Sequence, residues 1–335
     1  MVGEARKTVR IGVLGAARIV RRALVLPARR VPEVTVAAIA ARDRHRAHAH
    51  ARRLGIPRVH EDYDALLADP DLDAVYVPLP NSLHAEWSVR ALRAGKHVLC
   101  EKPIAGNEAE ARRLADVAAR TGRIVCEAMH PAYHPLTDRV RTLVAEGAIG
   151  EVGHVEARIA FPIPSTGDIR WSYELGGGAV MDLGVYAVAL LRTLTGAEPT
   201  EVTGAEARIR TPGVDRRVDA RLRFPNGATG RIVTSMWGWP LLAGHCRVEG
   251  SAGRLTVLNP LGPHLFHRIV LDTGSRRRHE RVAGRPDTYT CQLRAFAEAI
   301  THGRPLPTGP EYFLANTRVI DAIYHATGLP LRGAG

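Results

Sequence analysis

Short apolar runs alternate with amphipathic segments over the first 130 residues of the chain. The runs predict five strands, at Val9–Leu14, Val34–Ala40, Ala74–Leu79, Val98–Cys100 and Ile124–Ala128. The segments between them predict a turn plus a helix at residues 15–30. They also predict helices at Arg44–Leu54, Leu83–Ala94 and Glu108–Arg120. Such alternation predicts an α/β fold with a parallel doubly wound sheet, whose ligands bind beyond the carboxyl ends of the strands.

The pattern changes after about Pro131. After a helix at Leu136–Glu146, long alternating runs predict a large, mostly antiparallel open sheet, at Val152–Phe161, Val202–Ile209, Val218–Phe224, Thr229–Met236, Arg247–Glu249 and Arg254–Leu258. Pro225-Asn226-Gly227 is a hairpin signal between two of these runs. The remaining segments predict helices, at Ala179–Leu194, Tyr289–Thr301 and Glu311–Thr327. We therefore predict two domains, residues 1–130 and an α+β domain at residues 131–335.

The formal net charge of +12 makes nucleic-acid binding an alternative to weigh. The arginines are spread along the whole chain, without a long basic run, so we expect no nucleic-acid partner and instead favour anionic small molecules. The four cysteines have no C-x-x-C spacing and predict reduced, structural thiols. No apolar stretch reaches about 18 residues, and the first ten residues are polar. We expect a cytoplasmic protein without a membrane partner.

The first strand is followed by a degenerate G-x-G-x-x-G turn. Gly15 would supply the tight turn, whereas Ala17 and Val20 stand where the second and third glycines would be. The following helix N-terminus can still offer backbone N–H groups to phosphate. Because the turn opens a strand-helix series, it predicts a Rossmann dinucleotide-binding domain, although an ordinary turn remains the alternative.

The end of the second strand bears on the cofactor. Ala41-Arg42 occupies the position where a carboxylate would hold the ribose 2′-hydroxyl of NAD, and an arginine there suits the 2′-phosphate of NADP. Asp43 competes by one residue, and a solvated helix start is a further alternative. The sequence predicts NADP, with NAD less favoured.

Cys100-Glu101-Lys102-Pro103 closes the fourth strand. Pro103 restricts the backbone of Lys102, which would sit at the mouth of a cofactor cleft and polarise a substrate oxygen.

A second motif lies in the apolar helix after Gly176-Gly177-Gly178. Asp182 and Tyr186 are four residues apart and share a face, so the tyrosine is a candidate proton donor and the aspartate needs a partner. A merely structural Asp and a packing Tyr are the alternative. Arg170 and Trp171 offer a charge and a flat surface to phosphate or sugar, but an Asp168–Arg170 ion pair is equally natural.

Together these motifs resemble the glucose-fructose oxidoreductase/inositol dehydrogenase (GFO/IDH/MocA) family. Within this family, the chain resembles a subset that includes dihydrodiol dehydrogenases, NADP-dependent aldose dehydrogenases and nucleotide-sugar 3-ketoreductases. The residues that carry this resemblance are Tyr186, the run Tyr76-Val77-Pro78-Leu79-Pro80 and Ala17. The resemblance implies dimers or tetramers through the second-domain sheet. We also expect outward apolar positions on that sheet, from runs such as Ile232-Val233 and Leu255-Thr256-Val257.

The resemblance implies an assignment of site residues and no metal. The catalytic residues would be Lys102, Tyr186 and Asp182. Cofactor binding would involve Gly15, Ala17, Arg18, Ile19, Ala41, Arg42, Leu79, Pro80, Asn81, His84, Glu101, Lys102, Arg170 and Trp171. Substrate binding would involve Lys102, Tyr186, Asp182, Arg170 and Tyr289. Asn81 or Ser82 could instead cap the helix that follows.

These residues predict an NADP(H)-dependent dehydrogenase or ketoreductase that transfers hydride between nicotinamide C4 and a secondary alcohol or ketone of a sugar-like substrate. An aldose 1-dehydrogenase or a trans-dihydrodiol dehydrogenase is the alternative within the class. A non-catalytic NADP-binding sensor is the alternative from another class.

Overall fold

The computed structural model describes residues 8–284 and 286–333. Its strands are β1 Val9–Leu14, β2 Val34–Ala40, β3 Arg58–Val59, β4 Ala74–Val77, β5 His97–Cys100, β6 Val125–Glu127, β7 Val152–Ala160, β8 Glu201–Thr211, β9 Val214–Arg223, β10 Thr229–Ser235, β11 Ala243–Gly250, β12 Gly253–Leu258, β13 Arg268–Asp272 and β14 Arg277–Glu280.

The helices are α1 Leu26–Ala28, α2 Arg44–Leu54, α3 Tyr63–Ala68, α4 His84–Arg93, α5 Glu108–Thr121, α6 Pro135–Ala145, α7 Val185–Thr195, α8 Thr288–His302 and α9 Pro310–Thr327. A π-helical turn precedes α1, at Arg21–Val25, and another precedes α7, at Val180–Gly184. Within residues 8–284 and 286–333, we find no helix with the length and apolar character that a membrane span needs.

The chain divides into two units. Unit 1 comprises the residues up to Ala105 together with Ala109–Tyr133 and Tyr289–Phe313. Unit 2 comprises Gly106–Glu108, His134–Thr288 and the residues from Leu314 onward. The sequence placed all residues after 130 in the second domain, whereas α8 belongs almost entirely to unit 1. The reason is packing, because Leu293 and Phe296 are fully buried in the apolar core of unit 1.

Unit 1 is built on a six-stranded parallel sheet in the order β3-β2-β1-β4-β5-β6. The order reverses beside β1, which pairs with β2 on one side and β4 on the other, and ligands of such sheets bind at this switch point. The predicted α/β fold is confirmed. The sequence reading missed β3 and α3, which are too short for a hydrophobic period, although Asp62 accepts a hydrogen bond from the Ala65 N–H as an N-cap.

Unit 2 contains an eight-stranded sheet in the order β14-β13-β12-β11-β7-β10-β9-β8. Its neighbours are antiparallel except β7 and β10, which run parallel. The predicted hairpin forms between β9 and β10, with Gly227 at a φ of 80°. The strands β13 and β14 were both missed. Arg277–Glu280 is entirely polar and offers no apolar alternation, whereas β13 contains only the short apolar run Ile269–Leu271.

The expectation of outward apolar positions on this sheet is confirmed in part. Ile232, Leu255 and Val257 are buried, but Leu258 on β12 is 37% exposed and Ile209 on β8 is 55% exposed. Arg231 pairs with Asp219 at 2.7 Å and with Glu156 at 3.5 Å. The long arginine side chains can cover apolar surface with their stems. Val233 lies on the same strand face as Arg231, because side chains alternate along a strand, and it is only 2% exposed.

Candidate active site

The turn after β1 is tight. Gly15 has a φ of 111°, and its N–H donates to the Ala40 oxygen at 2.7 Å. A Cβ at Gly15 would lie 3.0 Å from Leu79 Cδ2, so the turn approaches the segment after β4 closely. Ala17, Arg18 and Ile19 then precede the first helical residues. Helix N-termini leave backbone N–H groups without intrahelical partners, so this turn suits a cofactor diphosphate.

The end of β2 presents positive charge. Arg42 is exposed, while Ala41 is buried against Ala16 and Ala47. The Asp43 carboxylate accepts from the Arg46 N–H at 3.1 Å and caps α2, so it is engaged with backbone. The Arg46 guanidinium lies 3.4 Å from the Ala16 oxygen. Arg46 lies in the first turn of α2, whereas Arg42 precedes the N-cap Asp43, and the sequence analysis did not assign Arg46 to the cofactor site.

The loop that carries Lys102 is held on both sides. The Tyr76 hydroxyl donates to Glu101 Oε1 at 2.5 Å, and the buried Glu127 accepts the Ile104 N–H at 3.0 Å. Lys102 itself is half-buried at the carboxyl end of β5, and its peptide bond to Pro103 is cis. The predicted strand-end position of Lys102 is confirmed, and Tyr76 and Glu127 emerge as its supports.

His84 also supports this loop. Its Nδ1 lies 2.7 Å from the Pro103 oxygen, and its Nε2 lies 2.7 Å from the Leu79 oxygen. Burial, together with the nearby charge of Lys102, lowers the pKa of His84 to about 4. The neutral ring can therefore donate to only one of the two oxygens. His84 is 1% exposed and supports this loop, while its role in cofactor binding stays a prediction.

Neighbouring residues follow the same segment. Leu79, Pro80 and Asn81 are half-buried. The alternative that Asn81 or Ser82 caps the next helix is wrong, because the N-cap of α4 is Leu83 and no side chain caps it. Asn81 instead begins a short 3₁₀ turn, Asn81–Leu83, directly beyond the carboxyl end of β4.

In unit 2, Asp182 and Tyr186 lie on one accessible face. Both are partly exposed, whereas Met181, Leu183 and Val185 are buried. Asp182 lies in the π-helical turn before α7, and such turns occur often at functional sites.

Asp182 forms an ion pair with Arg170. Arg170 Nε lies 2.9 Å from Asp182 Oδ2, and its Nη1 lies 3.1 Å from Asp168 Oδ1. Chiefly the attraction of Asp182, and then that of Asp168, raises the pKa of Arg170. The predicted Asp168–Arg170 pair is confirmed, and the same arginine holds Asp182. The arginine is thus a candidate orienting group.

Two predicted ligand contacts lie elsewhere. Trp171 is 5% exposed, and the Arg210 guanidinium covers its ring at 4.5 Å, so it does not offer a free flat surface. Tyr289 is 8% exposed in the core of unit 1, where its ring packs 4.2 Å from that of His130. Both residues are packed in the structure, and their roles in ligand binding stay predictions. Within residues 8–284 and 286–333, no group of three His, Cys, Asp or Glu side chains is placed to hold a metal ion.

In unit 1, the sheet order, the Gly15 turn at the end of β1 and the position of Lys102 beyond β5 are those of a dinucleotide-binding fold. The protein-family model described as "Oxidoreductase family, NAD-binding Rossmann fold" matches residues 9–129. The model described as "GFO/IDH/MocA C-terminal domain" matches residues 137–256. The chain belongs to the GFO/IDH/MocA family of oxidoreductases, as its resemblance implied.

Named relatives cover most of the chain. D-xylose 1-dehydrogenase (NADP(+)) 2 of Haloferax volcanii is 39% identical over 94% of this chain and 96% of its own length. A dTDP-3,4-didehydro-2,6-dideoxy-alpha-D-glucose 3-reductase of Streptomyces violaceoruber is 40% identical over 89% of this chain and 86% of its own. The relatives also include trans-1,2-dihydrobenzene-1,2-diol dehydrogenases.

Solved structures agree with the fold. A 3-ketoreductase of Actinomadura kijaniata, in complex with NADP and TDP-benzene, matches with a TM-score of 0.88 and 32% identity. The match covers 97% of this chain and 98% of that one. The same enzyme has been solved with a tyrosine replaced by phenylalanine and with a lysine replaced by alanine or by glutamate.

Proposed function

We propose that this protein is an NADP(H)-dependent oxidoreductase that interconverts a secondary alcohol and a ketone on a sugar-like substrate. The observation that carries the proposal is the pair of strand ends in unit 1. One bears the Gly15 turn and the other bears Lys102, beside the switch point of the sheet.

The end of β2 supports NADP as the cofactor. Arg42 is exposed there, while the carboxylate of Asp43 is engaged as an N-cap. An arginine at this position accommodates a 2′-phosphate, whereas NAD-preferring sites place a carboxylate there. NADP occurs in the names of the xylose dehydrogenase and of the ketoreductase complex.

The proposed chemistry assigns proton transfer to this chain. The nicotinamide, when bound, supplies or accepts the hydride. Tyr186 exchanges a proton with the substrate oxygen, and Lys102 holds that oxygen and favours the phenolate form of Tyr186. Asp182, fixed by Arg170, orients the pair.

The substrate class has three candidates, and trans-dihydrodiols are included because dihydrodiol dehydrogenases occur among the relatives. A nucleotide-linked keto sugar is favoured by the dTDP-sugar 3-reductases among the relatives. An aldose 1-dehydrogenase is favoured by the xylose dehydrogenase relative.

A panel with purified protein separates the candidates. NADPH would be offered with dTDP-linked 3-keto sugars, and NADP⁺ with D-xylose, D-glucose and trans-dihydrodiols, while nicotinamide absorbance is followed. Turnover of one class, lost in Tyr186→Phe, is the expected result. Tight NADPH binding without turnover on any substrate would instead favour a sensor.

We also propose a homo-oligomer through the unit 2 sheet. Because its outward positions carry charged side chains such as Arg231, Asp219 and Glu156, association through this face should weaken with salt. Sedimentation velocity at low and high ionic strength tests this, and a monomer at both would contradict it.

A further inference from the structure

A fully buried ion pair lies in unit 2, away from the residues assigned above. Arg332 and Asp215 each have 0% side-chain exposure, and Arg332 Nη2 lies 3.0 Å from Asp215 Oδ1. Burying two charges costs several kcal/mol per ion, and such a pair is weak evidence of a stabilising role. The cost is offset only where further hydrogen bonds satisfy both groups.

The further bonds of Arg332 go to backbone oxygens. Its Nε donates to the Gly177 oxygen at 2.7 Å, and its Nη2 donates to the Gly213 oxygen at 2.8 Å. Gly177 lies in the glycine run that leads into the helix of Asp182 and Tyr186.

Asp215 holds the next residues of that run. Its Oδ2 accepts the Val180 N–H at 2.8 Å, and its Oδ1 accepts the Tyr324 hydroxyl at 3.1 Å. Val180 is the first residue of the π-helical turn that contains Asp182. The ion pair therefore holds the start of this helix through two backbone groups, the Gly177 oxygen and the Val180 N–H.

The glycines fit closely between their neighbours. A Cβ at Gly177 would lie 2.4 Å from the Arg170 oxygen, and a Cβ at Gly178 would lie 2.3 Å from Asp215 Oδ1. Gly178 also has a φ of 138°. The glycine run is thus wedged between the backbone of Arg170 and the Asp215 carboxylate. Its placement sets where Arg170 meets Asp182.

The same arginine is tied to a second segment. The Asn107 side chain donates to the Arg332 backbone oxygen at 2.7 Å, and Asn107 lies five residues after Lys102 in the sequence. A Cβ at Gly106 would lie 2.5 Å from Gly333 Cα. The segment around Arg332 is therefore in contact with the stretch that follows the lysine loop.

We propose that Arg332 and Asp215 are positioning residues that fix the start of the catalytic helix and, through it, the placement of Asp182 and Tyr186. This inference rests on the proposed function. A displacement of about 1 Å at reacting groups can cost on the order of a hundredfold in rate. The pair therefore acts on catalysis through geometry, without contact to the reacting atoms.

The test uses Arg332→Lys, which keeps the charge but loses the planar fork, and Asp215→Asn, which keeps oxygen for the Val180 N–H. Either variant should lower kcat by about tenfold to a hundredfold, leave the Kd for NADPH unchanged, and shift the pH–rate limb that Tyr186 controls. In a Tyr186→Phe background, the same substitutions should have little further effect, because the groups act as a unit.

Arg192→Lys is the matched control. Arg192 is also buried, lies in α7 beyond Tyr186, and pairs with Glu198 at 2.6 Å. It should change stability without moving the pH–rate limb. Arg332→Lys that folds and keeps the wild-type kcat and pH profile would overturn the inference, as would an equal loss of activity with and without Tyr186. If Arg332→Lys fails to fold, Asp215→Asn decides by the same criteria. Full activity of Tyr186→Phe alone would instead refute the proposed proton-donor role of Tyr186, and the absence of turnover by the wild-type protein on every substrate of the panel would refute the proposed function.

Discussion

At the scale of the single residue, Arg42 is the side chain that we propose distinguishes NADP(H) from NAD(H). It is exposed at the end of β2, whereas its neighbour Asp43 is engaged with the backbone of α2. Arg46 adds a second guanidinium near the Gly15 turn, 3.4 Å from the Ala16 oxygen. We therefore expect cofactor choice in this chain to depend on a few charges at the end of β2.

Arg42→Ala should weaken NADP(H) binding by about tenfold or more and leave NAD(H) binding nearly unchanged. A charged hydrogen bond to the 2′-phosphate contributes about 1.5–3 kcal/mol, and 1.4 kcal/mol corresponds to tenfold. Fluorescence titration of both cofactors measures the effect. The control is Arg44→Ala, because Arg44 is exposed in the first turn of α2. Equal weakening of both cofactors would contradict the assignment.

Tyr186 and Lys102 should behave as one catalytic unit. A phenol with an ordinary pKa of about 10 is a poor acid-base group unless a cation lowers that pKa. Tyr186→Phe should reduce turnover by about 10²–10⁴-fold with cofactor affinity kept, and Lys102→Ala by a similar factor. The double variant should be little worse than the poorer single variant in single-turnover nicotinamide oxidation. Near wild-type rates in Tyr186→Phe would exclude Tyr186 as the proton donor.

At the scale of the element, the starts of the helices matter more than their interiors for placing the candidate site residues. The start of α2 is fixed by Asp43, and the start of the Asp182 helix is fixed by Asp215. In both cases a carboxylate accepts a backbone N–H that has no partner within the helix. Each carboxylate thereby places a neighbouring functional residue.

Asp43→Ala should lower the free energy of unfolding by about 1 kcal/mol, the usual loss of an N-cap. It should leave the preference for NADP over NAD unchanged, because the Asp43 carboxylate is engaged with the Arg46 N–H. Urea unfolding and cofactor titration measure the two effects, and Asp43→Ser, which can still cap, is the control. Loss of NAD affinity alone would show that Asp43 holds the ribose instead.

At the scale of the whole molecule, buried histidines make stability depend on pH. His84 in unit 1 and His134 in unit 2 each have a pKa lowered to about 4, chiefly through burial. Both are neutral in the folded protein but bind a proton below about pH 6.5 when unfolded. Protons therefore favour the unfolded state, and stability present above about pH 6.5 is lost as the pH falls toward 4.

His84→Asn should flatten this dependence. Removing the group should reduce the slope by up to about 1.4 kcal/mol per pH unit between about pH 6 and about pH 4.5, whatever it does to stability at neutral pH. Urea unfolding across this range measures the slope, and His48→Asn, exposed on α2, should leave it unchanged. An unaltered slope in His84→Asn would mean that His84 is protonated in the folded protein.

Local pattern determined much of this molecule. β1 and β2 end where the sequence places them, as does α2, because apolar periodicity and capping residues are read within a few consecutive positions. The Gly15 turn and the strand-end position of Lys102 follow from the same local signals. Family membership followed from the order of these motifs along the chain.

Tertiary structure decided which side chains meet. Only the folded chain shows that Arg170 pairs with Asp182, that His84 lies under the Pro103 loop, and that Tyr289 joins the core of unit 1. It also shows that Arg332, near the other end of the sequence, grips the Gly177 turn. Partners so distant in sequence leave no period or spacing to read, because burial and pairing are set by packing between elements rather than by the residues next along the chain.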